Sequence, residues 1–343
     1  MAKSTTTTKI TKMSDLALIA GVSKSTVSRA LAGNELVNKE TRDRIAALAK
    51  EHNYRINTKA RNFRTKESLT VGLMIPSSQS KWQINDPFFL ELLGSIGSAL
   101  NERGHELLLS SARISADQGI DELVSQSHCD GMIFIGQADI HSQLNELASF
   151  NQPLVVWGGK RDDQQYVTVG GDNYKGGYEA TRHLISIGKQ RVAFFGDPNT
   201  VEGAMRFDGY RAALKEADIQ YSEELCIIPA EGSLGAMKAI SHSHANGIRF
   251  DGLFAFSDVL AMAAMRVLSA LNLTFPQDVA IVGYDDIQLS KYFMPPISSI
   301  RQDRELGGKL LVEKLLAILN GELVTSTVLD TSLVVRQSSV SRN

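Results

Sequence analysis

The seven residues from Ser23 to Arg29, SKSTVSR, carry four hydroxyls and two cations without a carboxylate among them. Short hydroxyls donate to phosphate oxygens and set register, whereas a guanidinium can bond a guanine edge through two parallel N–H groups. Ser23, Thr26, Ser28 and the more distant Thr41 are therefore candidate phosphate donors, and Lys24, Ser25 and Arg29 are candidates for base edges. A second set suits another ligand. Arg206 offers a fork of donors for vicinal hydroxyls or a carboxylate, and Asp285 an acceptor for a second hydroxyl pair. Phe88, Phe89 and Trp157 can lie against the apolar face of a sugar, with Ser257 and Gln302 as further polar contacts. Two alternatives stay open: an Arg206–Asp285 ion pair bridging two lobes, and aromatics that simply fill a core.

The elements that must position the first set are short helices. Ser14 can cap a helix with Leu16, Ala17, Ile19 and Ala20 on its apolar stripe. Gly21 supplies the positive φ of a tight turn, and Val22 plugs the space between the helices. Ser23 then caps a second helix whose Val27, Ala30 and Leu31 face inward, leaving Lys24, Ser25, Thr26, Ser28 and Arg29 outward. A third helix, roughly 39–52, is amphipathic through Ile45, Leu48 and Ala49. Two short helices across a tight turn form a helix-turn-helix, whose second helix fits the major groove of double-stranded DNA.

Charge points the same way. Residues 1–67 hold 14 Lys/Arg against 6 Asp/Glu, while the remainder holds 22 against 32, so a head of +8 precedes a body of −10. A basic head on an acidic body is the footprint of a protein that meets a polyanion at one end. No apolar run is long enough to span a membrane, and no secretory signal opens the sequence, so a cytoplasmic location is expected. Cys129 and Cys226 are the only cysteines and are expected to be free, buried thiols. His242 and His244 lack a third ligand for a metal. Gly170-Gly171 lacks the spacing of a phosphate or dinucleotide loop. Asp258 reads as a helix N-cap, and Asp285-Asp286 as neighbours pointing opposite ways rather than a catalytic dyad. Neither cofactor, metal nor catalytic residues are expected.

From Leu69 onward, short aliphatic strands (LTVGLMI, HELLLS, GMIFIG, LVVW, VTVGGD) alternate with helical segments, and the rhythm restarts through RVAFFG, ELCIIP, GLFAFSD and DVAIVGYDD. Alternation of this kind builds parallel sheets, and two passages in tandem build two α/β lobes with a cleft at the strand ends. A helix near 304–319 and a strand near 328–335 should return to complete the lobes.

These residues resemble the lactose-repressor (LacI/GalR) family of bacterial regulators over essentially the whole chain. In the head the match runs through Asp15, Ala20-Gly21-Val22-Ser23, Thr26-Val27-Ser28-Arg29, Val37, Thr41-Arg42, Asn53-Tyr54, Asn57 and Ala60-Arg61. In the body it runs through Asp86-Pro87-Phe88-Phe89, Asp172-Asn173, Arg206, Ser257-Asp258, Val282 to Asp286, and Pro295 to Gln302. The resemblance implies a three-helix headpiece at 1–56 and a hinge helix at 57–68. It also implies a periplasmic-binding-protein-like core at 69–343, with one lobe near 69–168 plus 300–330 and the other near 169–299 plus 331–343. It further implies that Arg206 and Asp285 contact a small-molecule effector, most simply a carbohydrate. The hinge would enter the minor groove through Asn57, Ala60 and a wedge; Phe63 occupies the wedge position where relatives carry leucine, and packing of Phe63 on its own headpiece is the alternative. No heptad helix follows Val335, so a homodimer on a pseudo-palindromic operator is the expected assembly. A transport protein or a two-lobed α/β sugar enzyme are the competing classes; the first lacks a reason for a basic head, the second a catalytic constellation.

Overall fold

The computed structural model describes residues 13–31, 34, 36–52, 70–75, 86–110, 129–137, 140–230 and 232–341. The chain divides into two compact units, Met1–Ser68 and Leu69–Asn343. The hinge residues Asn57, Ala60, Arg61 and Phe63 lie outside the described residues.

The first unit holds α1 (Met13–Ala20), α2 (Lys24–Leu31) and α3 (Lys39–Glu51). Leu16, Ala17, Ala20, Val27, Ala30, Val37, Ile45 and Ala49 are buried together, with Val22, Leu31 and Leu48 packed against them. Each fully buried Leu, Ile or Val contributes about 1.5–3 kcal/mol, so this handful of side chains carries the unit. Ile19 does not join the stripe. It is 48% exposed, because α1 packs on α2 and α3 along the narrower seam of Leu16, Ala17 and Ala20.

The second unit begins with β1 (Thr70–Met74), α4 (Pro87–Glu102), β2 (Glu106–Ser110), β3 (Gly131–Ile135), α5 (His141–Ser149), β4 (Leu154–Trp157) and β5 (Val167–Gly171). It continues with α6 (Asn173–Ser186), β6 (Val192–Phe195), α7 (Val201–Glu216), β7 (Cys226–Ile227), α8 (Gly232–Ala245), β8 (Gly252–Ala255), α9 (Asp258–Ala270) and β9 (Ala280–Asp285). Last come β10 (Ser298–Gln302), α10 (Arg304–Leu319), β11 (Thr327–Leu329) and β12 (Thr331–Val334). The strands form two six-stranded sheets, ordered β11-β5-β4-β3-β1-β2 and β12-β10-β9-β8-β6-β7. Among the described residues every pairing is parallel except β10 with β12.

Pairing moves the lobe boundaries. β5 runs to Gly171 in the first sheet and β10 to Gln302 in the second, so the crossings fall beyond both strands rather than near 168 and 300. The expected single strand at 328–335 is two strands, β11 in the first sheet and β12 in the second, with Asp330 between them. β10 is invisible to hydrophobic periodicity because it reads Ser-Ser-Ile-Arg-Gln. Its buried hydroxyls are used: Ser299 Oγ accepts the Asp286 N–H at 2.9 Å, and Ser298 Oγ donates to the Arg336 carbonyl at 2.9 Å. Both cysteines are half-buried, and no disulfide joins them.

Candidate nucleic-acid interface and effector cleft

Gly21 adopts φ +63°, the left-handed turn between α1 and α2. Ser23 Oγ accepts the Thr26 N–H at 3.1 Å and caps α2; it also lies 2.7 Å from Ser25 Oγ and 2.8 Å from Thr26 Oγ1. The cap therefore uses one lone pair of a hydroxyl expected to serve phosphate. Lys24, Ser25, Ser28 and Arg29 share one face of α2 by their i, i+4 spacing, opposite the buried Val27 and Ala30. Lys24, Ser25 and Arg29 are exposed, and α2 has no acidic residue in its first turn to neutralise its positive end. Thr41 lies in the first turn of α3, where its N–H is capped by Asn38 at 2.8 Å. Arg42 and Arg44 are tied inside the unit, donating to the carbonyls of Asn34 and Ala20 at 3.2 and 3.1 Å. Lys24 and Arg29 have no such tie among the described residues, so their charge is free to meet an anion.

In the second unit Trp157, Asp285 and Gln302 end β4, β9 and β10, Ser257 precedes α9, Phe88 and Phe89 open α4, and Arg206 lies within α7. Arg206 is 5% exposed on α7. Its Nε donates to Asn173 Oδ1 at 2.8 Å and its Nη1 to the Phe256 carbonyl at 2.6 Å. Its guanidinium carbon stands 3.6 Å from the Tyr284 ring centroid and 4.3 Å from that of Phe256, a cation held between two aromatic faces. The helix can come this close because Gly177 on α6 has no side chain; a Cβ there would sit 2.1 Å from the Arg206 carbonyl oxygen. Asp285, 7% exposed, accepts from Gln302 Nε2 at 2.8 Å. Burial raises its pKa well above the usual carboxylate range, with Arg206 pulling the other way. Arg206, on the helix between β6 and β7, and Asp285, at the end of β9, belong to the same lobe, so an attraction between them does not bridge the lobes. Both groups are buried and engaged within the fold, Arg206 by Asn173, the Phe256 carbonyl and two rings and Asp285 by Gln302, with an attraction between the two charges.

Asp285 and Asp286 both have positive φ, 104° and 50°, a conformation that costs a non-glycine residue about 1–3 kcal/mol. The turn sends the side chains apart as expected: Asp286 accepts from Arg301 Nε at 2.7 Å and from Arg336 Nη2 at 2.5 Å. The aromatics behave differently. Phe88 and Trp157 are each 6% exposed in the first lobe's core, their rings 5.8 Å apart, as the core-filling alternative expects; Phe89 is partly buried at 5.7 Å from Phe88. Ser257, not Asp258, caps α9, its Oγ accepting the Leu260 N–H at 3.3 Å. Asp258 is the first helical residue and turns inward instead, where Oδ2 accepts from the Ile287 N–H at 2.9 Å and Ser290 Oγ at 2.6 Å. Burial lifts its pKa to about 7. Sequence reasoning missed Asn173, Phe256 and Tyr284 as partners of Arg206, although Asn173 and Tyr284 stand inside quoted motifs. Tyr284 is wholly buried against Arg206, and burial pushes its pKa up.

Among the described residues no helix is long and apolar enough to cross a membrane, and no His/Cys/Asp/Glu group could hold a metal ion. The family model of bacterial regulatory proteins, lacI family, matches residues 12–57, and that of a periplasmic binding protein-like domain matches residues 181–339. The HTH-type transcriptional regulator CelR of Thermobifida fusca is 32% identical over 334 residues, covering 94% of this chain and 96% of that protein. A solved CelR–cellobiose complex superposes with TM-score 0.71 at 31% identity, covering 96% of this chain and all of that one. The lac repressor dimer bound to operator and the anti-inducer ONPF superposes with TM-score 0.83 at 26% identity, covering 97% and 100%. With a helix-turn-helix head, a two-lobed receptor and these likenesses together, the chain belongs to the lacI family of bacterial regulatory proteins and is a DNA-binding transcriptional regulator answering to a small-molecule effector, not an enzyme.

Proposed function

We propose that the protein is a cytoplasmic repressor that grips a pseudo-palindromic operator as a homodimer and releases it when a sugar or sugar derivative enters the cleft. In this reading α2 lies in the major groove. Lys24, Ser25 and Arg29 reach base edges there, while Ser23, Thr26, Ser28 and Thr41 bond phosphates. Asn57, Ala60 and Phe63 act in the minor groove, Phe63 as the wedge. Arg206 and Asp285 hold the effector's hydroxyls, Gln302 orients Asp285, and Ser257 and the edges of Phe88, Phe89 and Trp157 line the remainder. The observation that supports the effector reading is a buried Arg206 on α7 and a buried Asp285 at the end of β9 in the same lobe, with Gln302 at the end of β10 bonded to Asp285.

Cellobiose, present in the solved CelR complex, is the first ligand to try, alongside ribose, sugar acids, sugar phosphates and nucleobases in a thermal-shift screen. The expected result is one sugar that raises the melting temperature of the wild type but not of Arg206→Lys, and that lowers affinity for an operator selected from random DNA. Stabilisation by a nucleobase alone, or a sugar response that survives Arg206→Lys, overturns the assignment of the site.

A further inference from the structure

The turn that carries Asp285 into the cleft is held by a residue of the other lobe's helix pair. Arg304 opens α10, which packs on α4. One of its Nη groups donates to the Asp285 carbonyl, and the other to the Asp286 carbonyl at 3.0 Å. The same guanidinium lies 2.9 Å from a carboxylate oxygen of Glu91 on α4. The second Glu91 oxygen accepts the Gln288 N–H, also at 2.9 Å, just past the turn. Arg304 and Glu91 side chains are only 14% and 25% exposed.

We propose that Arg304 is the positioning residue of the effector site, and that Glu91 transmits the state of the Asp285 turn to α4, the first helix of the core unit. This rests on the cleft being the effector site. The carbonyls of Asp285 and Asp286, two successive residues with positive φ where β9 ends, both accept from Arg304, and a planar fork of donors can hold both at once where an ammonium cannot. The Asp286 carboxylate is fixed elsewhere by Arg301 and Arg336, so that end of the turn is pinned. A ligand that rotates the Asp285 side chain therefore moves its carbonyl against Arg304, and Arg304 is paired directly with Glu91. A contiguous set of hydrogen bonds and one ion pair thus joins the site to the other lobe, the kind of physical link that coupling between sites requires.

Hydrogen-exchange mass spectrometry on the full-length, ligand-free protein tests the positioning role without knowledge of the effector. Arg304→Lys keeps a charge for Glu91 but cannot bridge the two carbonyls. It should speed exchange across residues 285–290 on the order of tenfold while leaving β6 and β8 unchanged. Glu91→Leu, which removes both acceptor oxygens, should loosen Gln288 and the start of α4 while Asp286 and Ile287 stay protected. Unchanged exchange over 285–290 in Arg304→Lys, or a uniform rise that includes β6 and β8, overturns the proposal. With cellobiose as ligand, Arg304→Lys should weaken binding, whereas Glu91→Leu should bind as the wild type does and lose the operator response; a full operator response in Glu91→Leu refutes the transmitting role. If cellobiose fails to bind the wild type, it is the sugar assignment that falters, and the exchange result still decides Arg304.

Discussion

Asp258 makes the stability of the core depend on pH in a direction opposite to that of an ordinary paired aspartate. Its carboxyl is buried, and one oxygen accepts from Ile287 and Ser290. With a pKa of about 7 in the folded core and the usual 3.8 when unfolded, the native state binds a proton that the unfolded chain releases. Stability from this group is complete below pH 4 and is lost progressively as pH rises to 7. Across pH 5 to 8 the loss amounts to ~2.5 kcal/mol by linkage, at 1.36 kcal/mol per unit. Asp258→Asn removes the titration while keeping an acceptor for Ile287 and Ser290. Urea unfolding followed by tryptophan fluorescence reports the core alone, because both tryptophans, Trp82 and Trp157, fall after residue 68. The stability difference between variant and wild type should therefore grow in the variant's favour by roughly 2.5 kcal/mol from pH 5 to 8. Parallel pH profiles for the two proteins would refute the reasoning, since they would mean that burial does not hold the proton.

Two other changes probe the scaffolding of each site. Arg29→Ala should reduce discrimination between the selected operator and single-base variants by about 1–3 kcal/mol per half-site while sparing nonspecific binding at low salt; competition gel shifts would show this, and an unaltered preference would remove Arg29 from base reading. Gly177→Ala should destabilise the core by about 1–3 kcal/mol or more, because its methyl must push α7 away; a melting temperature equal to wild type would show that the helices do not need that closeness.

Much of the architecture was legible because it rests on short-range physics. The turn glycine Gly21, the Ser23 cap and the Val27 and Ala30 face follow from local backbone preference and helical periodicity, and the structure has each of them. The alternation of strands and helices likewise announced a two-lobed parallel α/β core. β10 escaped notice because two serines in a buried strand give no apolar rhythm; their hydroxyls find partners only across the sheet. Asp258 was misread as a cap because Ser257 and Asp258 are both good cap residues, and the register that decided between them is set by where α9 docks.

Sequence by itself determined the three helices of the head, the excess of basic residues over 1–67, and that Arg206 and Asp285 carry donor and acceptor chemistry. It could not determine their surroundings. Whether an arginine is paired, stacked or free depends on groups brought up from distant parts of the chain: Asn173, Phe256 and Tyr284 around Arg206, and Gln302 and Arg304 around the Asp285 turn. Those contacts exist only after two sheets have exchanged strands across the crossings, because burial and hydrogen-bond partners are properties of the packed whole, whereas propensity and periodicity belong to a dozen residues at a time.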